Sequence, residues 1–299
     1  MTEFELGGGS MFVLEFCDNP NNPILISGLV SYSDTFEYEF ISRSKALDKF
    51  IYLVDMHRII ESCASELVNV SIDEIEEFWK INKCLMNYVN AVYSYKEFVN
   101  SYDPPLKKIT EHYYHQKKWY RFVCDYRNRV IHQSTIIKDY CPGSKDIFVD
   151  LDEVIEIQEG FQFKNDYQRK NSEKVKGVLE ELKKESKVIN GKNYLSMKYV
   201  AVCANEEIRL MKDEVLLFAF NKGVKPVLEW LISLIPIVDG NFKYAFIVNK
   251  ENLPDAVYEP NYVLENFYSR MFKCLGAENP ISKEIANLFK QHKYDNFFG

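Results

Sequence analysis

The chain has 299 residues, with 37 Lys+Arg against 44 Asp+Glu and a formal net charge of −7. Its surface as a whole therefore repels nucleic acid and anionic membranes, and any anionic partner must meet a local basic patch. With 46% hydrophobic and 15% aromatic residues against 27% charged, it can build a sizeable core, which excludes wholesale disorder and fits one large or two modest domains.

Residues 1–10 end in Gly-Gly-Gly-Ser and read as a flexible arm or an added linker. Over 11–43 the runs Phe12-Val13-Leu14 and Ile24-Leu25-Ile26 are punctuated by Asn19-Pro20, Asn22-Pro23 and Gly28. Phe36, Tyr38 and Phe40 then alternate with Glu37 and Glu39, and together these predict a strand-rich opening segment. From Ser44 to Val68 the period becomes helical, with Leu47, Phe50, Ile51, Val54, Ile59 and Ile60 on one face. Ser71-Ile72-Asp73-Glu74 has the form of a capping box, opening a second helix with Ile75, Phe78, Leu85, Val89 and Val92 inward. Asp103-Pro104-Pro105 ends it, because proline neither donates to the helical ladder nor tolerates a helical predecessor.

A third helix is predicted from Leu106 to about Ser134. Cys141-Pro142-Gly143-Ser144 breaks the chain, Ile147 to Ile157 alternates partly like a strand, and Tyr167 to Lys187 is a charge-dense helix closed by Asn190-Gly191. Further helices are predicted at Leu195–Ala219, Pro226–Leu234, Tyr262–Leu275 and Ser282–His292, with a strand at Phe242–Val248. The expected fold is thus mainly α: a helical domain over 44–190 and a helical C-terminal region over 191–299.

The most apolar stretch, Val215 to Val238, is interrupted by Asn221, Lys222, Gly223, Lys225, Pro226, Glu229 and Pro236, short of the roughly 20 clean residues a membrane span needs. The N-terminus lacks a cationic segment leading into an apolar one, so neither secretion nor a membrane is expected. Seven cysteines, Cys17, Cys63, Cys84, Cys124, Cys141, Cys203 and Cys274, are odd in number and never spaced C-x-x-C. They argue against a disulfide scaffold or thiolate zinc site and for a reducing, cytoplasmic setting.

Chemistry concentrates between Leu106 and His132. There Lys107, Lys108, Lys117, Lys118, Arg121, Arg127 and Arg129 face only Glu111 and Asp125, and His112, His115 and His132 are three of the five histidines. On a helix Trp119, Phe122, Val123, Tyr126 and Val130 form an inward stripe, while Asp125, Asn128, Arg129 and His132 share the far side. Arg127 lies about 140° from His132. A rigid element thereby displays a cation, an amide and an imidazole. Phosphate-loop, Rossmann, H-E-x-x-H and G-x-S-x-G patterns are all missing.

Arg127-Asn128-Arg129-Val130-Ile131-His132 resembles the R-x(4–6)-H signature of HEPN-domain ribonucleases, including the polar residue after the arginine. The resemblance covers the motif and its helical surroundings, about residues 44 to 190. It implies a bundle of about four helices whose homodimer joins two motifs into one metal-independent RNA-cleaving cleft. Arg127 would then bind the phosphate, His132 would serve as acid or base, and Asn128 would orient substrate or His132. No cofactor or metal is expected. A bacterial toxin or anti-phage effector, with an antitoxin or sensor protein as partner, is implied by the same likeness. Position 134 is Ser, so the H-x-Tyr extension through which some HEPN toxins are modified is missing, and that control route is in question.

The chemistry itself is coherent: imidazole exchanges protons near neutral pH, and a forked, always charged guanidinium holds a phosphate and its developing charge. Lys117, Lys118, Arg121 and Arg129 are candidate contacts to the RNA backbone, with a solvated surface face as the plainer reading. Asp125 and Arg129 read as an i,i+4 surface pair, His112 and His115 as ordinary histidines rather than metal ligands, and Cys124 as structural. Two other functions fit the same residues: a catalytically inactive HEPN-like module that binds RNA or protein, and a helical interaction protein in which Arg127 and His132 are incidental.

Overall fold

The computed structural model describes residues 12–17, 26–29, 35–71, 78–133, 139–141, 146–159, 166–235, 237–238, 241–249 and 256–291. The chain is mainly helical, with small antiparallel sheets. It divides into two compact units, 1–54 with 217–299 and 55–216. Helices α1 (Phe36–Asn69) and α7 (Met197–Ala219) contribute residues to both. The expected arm over 1–10 and capping box from Ser71 to Glu74 lie wholly or mostly outside the described residues.

The first unit joins the two ends of the sequence. Strand β1 (Phe12–Cys17) pairs with β2 (Ile26–Leu29) on one side and with β7 (Tyr244–Asn249) on the other, Leu14 opposite Ile247, and β8 (Ala256–Tyr258) completes the sheet. Asn261, near the start of α9 (Pro260–Leu275), is buried and fixes the helix to the sheet: its Oδ1 accepts from the Ala245 amide at 2.9 Å, and its Nδ2 donates to the Lys243 carbonyl at 3.3 Å.

The predicted strand character of 36–43 is corrected, since these residues open α1. Phe36 and Phe40, one helical turn apart, have ring centroids 6.0 Å from each other, and both pack on Trp230 and Tyr258, while Tyr38 between them is 76% exposed. Positions i and i+4 satisfy both an alternating and a helical pattern, and burial chose the helix. Phe50 packs at a tilt against Phe220 and Phe267, with ring centroids 6.3 and 6.2 Å away. A π-helical turn, Phe220–Val224, leads from α7 into α8 (Lys225–Ser233). Pro226 supplies the reason: it has no amide for the carbonyl four residues back, so the ladder widens by one residue just before it.

In the second unit, α2 (Phe78–Tyr102), α3 (Pro104–Gln116) and α4 (Lys118–Gln133) pack against one another. Leu85, Tyr88, Val89, Val92, Tyr95 and Val99 form the buried face of α2. The single helix predicted from Leu106 to Ser134 is corrected to two, because Lys117 adopts extended backbone (φ −111°, ψ 105°) between α3 and α4. Residues 147–157 are likewise not one strand. After β4 (Asp146–Asp150), the Asp150 carboxylate accepts from the amides of Asp152 and Glu153 at 3.0 and 3.1 Å and caps α5 (Leu151–Glu159).

Asn190-Gly191 is a hairpin turn rather than a helix stop. Helix α6 (Asp166–Lys183) ends earlier, and Asn190 and Gly191 take φ of 49° and 78° between β5 (Lys187–Ile189) and β6 (Lys192–Ser196). Two consecutive left-handed residues match the twist of the paired strands, a conformation Asn-Gly adopts readily. These strands extend a sheet ordered β3-β4-β6-β5, with β3 at Asp139–Cys141.

Candidate functional site

Helix α4 carries the motif. Its backbone is continuously helical from Lys118 to Gln133, so Arg127 and His132 share one rigid element, displaced by about 7.5 Å along the axis. The side chains of Asn128, Arg129, Val130 and His132 lie outside the described residues.

The break at Lys117 leaves the first amides of α4 without helical partners. Glu207 of α7 meets one of them: its Oε2 accepts from the Tyr120 amide at 2.8 Å. Burial raises the Glu207 carboxyl above its usual range, opposed by this bond and by the nearby Lys117 and Lys118 charges. A carboxylate at a helix N-terminus also favours the helix dipole. The inward stripe is as expected over its described part, Trp119, Phe122, Val123 and Tyr126 all being buried.

The expected RNA-facing cations divide. Arg121 is only 5% exposed. Its Nε lies 3.5 Å from the Asp125 carboxylate, and its guanidinium sits 5.1 Å from the Tyr114 ring. The i,i+4 spacing turns it onto Asp125 inside the bundle, so contact with RNA would require it to leave that partner. Asp125, read from sequence as a partner of Arg129, also accepts from the Tyr114 hydroxyl at 2.6 Å. Lys118 is half-buried, donating to Glu185 at 2.9 Å with Glu181 at 3.7 Å. Burial depresses its pKa, but the bonds and charges of Glu185 and Glu181 outweigh that and raise it. Lys117 is partly exposed at the break.

Arg127 is partly buried, and its guanidinium carbon stands 4.0 Å from the centre of the Tyr93 ring on α2. That is a close cation–π contact, which limits how the long side chain wanders. Lys96, one turn along α2, places its Nζ 5.9 Å from the same ring and 4.6 Å from that of Tyr114. Tyr93, Lys96, Tyr114 and Glu207 belong to no motif in the sequence. The i,i+3 spacing of Tyr93 and Lys96 is the only local trace of them, and the approach of Tyr93 to Arg127 depends on how α2 packs with α4.

His112 and His115 are exposed, and among the described residues no three His, Cys, Asp or Glu side chains gather as a metal site. Cys124 is fully interior, and burial pushes its thiol up to about 12, as a structural cysteine requires. An open groove of about 290 Å³ between α1 and α7 is lined by Glu61 and Glu206 without a basic residue, which makes it unsuited to phosphate. Among the described residues no helix is long and apolar enough to cross a membrane. Comparison with protein-family models, with curated proteins and with solved structures returns no match.

Proposed function

We propose that the protein is a metal-independent endoribonuclease of the HEPN kind, acting in the cytoplasm as a bacterial toxin or anti-phage effector. The observation that carries this reading is the Arg127-Asn128-Arg129-Val130-Ile131-His132 motif on one helix, with Arg127 braced against Tyr93. The RNA 2′-hydroxyl attacks the adjacent phosphate, forming the new P–O bond as the bond to the 5′-oxygen breaks. One protomer's His132 removes the hydroxyl proton, and the other's protonates the leaving oxygen. Arg127 stabilises the charge that develops on the phosphoryl oxygens, and Asn128 orients substrate or His132. Products are a 2′,3′-cyclic phosphate and a 5′-hydroxyl. The chain holds a single such motif, so the active form is a homodimer. Lys117 and Arg129 are the remaining candidate backbone contacts, with Lys118 available only by leaving its carboxylate partners. An antitoxin or sensor protein would restrain the activity.

The test incubates wild type, Arg127→Ala and His132→Ala with RNA in EDTA and analyses the termini, with solution mass measured alongside. Cleavage by wild type alone, with cyclic-phosphate ends and a dimeric mass, is expected. Activity that requires a divalent ion or survives His132→Ala would falsify the mechanism, and RNA binding without cleavage would favour the inactive module.

A further inference from the structure

We infer that the groove between α1 and α7 is a docking site for a helical segment of another protein, one that carries Lys or Arg beside small apolar residues. The site stands apart from the ribonuclease reading, and every residue in it belongs to the unit of residues 55–216.

The shape of the groove fits a helix. It holds about 290 Å³ and runs on α1 from Glu61 to Asn69, which is about 12 Å, or two turns. Its floor is made of small residues, Ala64 being 5% exposed and Ala201 fully buried. Residues of that size let a third helix approach closely, where a leucine would hold it off. Val68 and Val202 add apolar surface, and Val202 is 46% exposed. Apolar contact over two turns is what an amphipathic helix needs for its anchoring side chains.

The charges select the sign of the partner. Glu61 stands on the α1 wall and Glu206 on the α7 wall, and among the described residues no Lys or Arg lines the groove. Lys212 lies 3.9 Å from Glu61 and offsets part of that charge from outside the lining. Asn205 also lines the groove, and its Oδ1 is buried without a hydrogen-bond partner. An unpaired buried oxygen is costly, and an N–H donor from a docked Lys or Arg removes that cost.

The end of α1 has the same polarity. Its last turn holds no basic residue, so the helix itself supplies no cation for the negative end of its dipole near Asn69. Lys198 of α7 fills that role, its Nζ donating to the Val70 carbonyl at 2.7 Å. One ammonium is thus already stabilised beside the groove. The same carboxylates repel phosphate, so this groove and the basic helix α4 suit partners of opposite charge.

The experiment uses the full chain and a fluorescein-labelled, alanine-based helical peptide with arginines one helical turn apart, followed by anisotropy. The peptide should bind, more weakly as salt is added. Glu61→Gln combined with Glu206→Gln should weaken binding roughly tenfold, as loss of two partly exposed ion pairs does. Ser65→Trp, at an exposed position on the α1 wall, should weaken it at least as much by filling the groove while every charge is kept. Glu97→Gln combined with Glu111→Gln, exposed on α2 and α3, changes net charge equally and should bind within about twofold of wild type. The same peptide broken by two prolines, a peptide with Glu in place of Arg, and spermidine should each compete poorly.

The inference is overturned if the arginine peptide does not bind wild type, or if either the Gln pair at the groove or Ser65→Trp binds like wild type. An equal loss in the Glu97 and Glu111 control would overturn it by showing attraction to diffuse charge. Competition by spermidine as effective as that of the peptide would overturn it in favour of a small-cation site.

Discussion

The two units are held together by different chemistry. In the unit of residues 1–54 and 217–299, Phe36, Phe40, Trp230 and Tyr258 form one aromatic cluster, and Phe50, Phe220 and Phe267 form another. In residues 55–216 the apolar core is threaded by polar and charged groups: Glu207 at the start of α4, Arg121 with Asp125 and Tyr114, and the buried His57. Apolar packing is tolerant of exact geometry, whereas polar groups withdrawn from water fix orientation because misplaced ones are costly. Among the described residues, buried polar groups are more numerous in the unit that carries the motif helix than in the other, where Asn261 ties α9 to the sheet.

The sharpest test of that contrast is activity. Arg127→Ala and His132→Ala should each cut RNA cleavage by roughly two to four orders of magnitude with little change in the melting curve, as removal of a general acid–base or transition-state contact does. Equal unfolding in both variants would make the motif structural and erase the contrast. Next comes the aromatic unit: Phe220→Ala, at a fully buried ring, should cost about 3 to 5 kcal/mol in denaturant unfolding. A loss below about 1 kcal/mol would show that the ring cluster is not what holds this unit.

His57 gives a pH signature to the polar unit. It is 1% exposed, and burial together with the Lys212 charge lowers its pKa from 6.5 to about 3. Glu61 stands 3.4 Å from its Nδ1, Lys212 lies 3.9 Å from the same carboxylate, and Tyr95 packs edge-on against the imidazole. The unfolded chain therefore binds the proton more readily, and stability present above pH 6.5 is lost as pH falls toward 3. Between pH 6.5 and 4.5 the loss should be on the order of 2 kcal/mol, and His57→Leu should flatten that part of the curve in urea titrations. An unchanged slope in the variant would remove His57 from the account.

Smaller effects should follow at the ends of α4. Glu207→Ala should cost about 1 kcal/mol, the usual cost of a lost helix cap, and should lower cleavage more than stability if α4 positions the motif. Lys118→Ala should change stability by less than about 1 kcal/mol, since partly exposed ion pairs contribute little. Retained RNA affinity in that variant would agree with Lys118 serving its carboxylates rather than a phosphate.

Much of this was readable from residues in order. Helical periodicity located α1 from Leu47 onward, α2, α7, α8, α9 and a last helix, α10 (Pro280–Gln291), and Asp103-Pro104-Pro105 marked the junction of α2 and α3. Asn190-Gly191 carried a stronger hairpin signal than the helix stop read into it. The break at Lys117 had no such signal, with neither proline nor glycine there. Its cause includes a carboxylate 87 residues away along the chain from Tyr120.

The sequence by itself determined which groups α4 would display, because helical geometry converts spacing into facing without reference to the rest of the chain. It also determined the mainly helical class, through the period of its apolar residues. Only the tertiary structure decided which cations are spent internally. Arg121 and Lys118 look alike in a list of basic residues, yet one is buried against Asp125 and the other held by Glu185, while Arg127 rests on Tyr93. Long-range packing sets those partners, because a charge's availability depends on what other helices bring within a few ångströms of it.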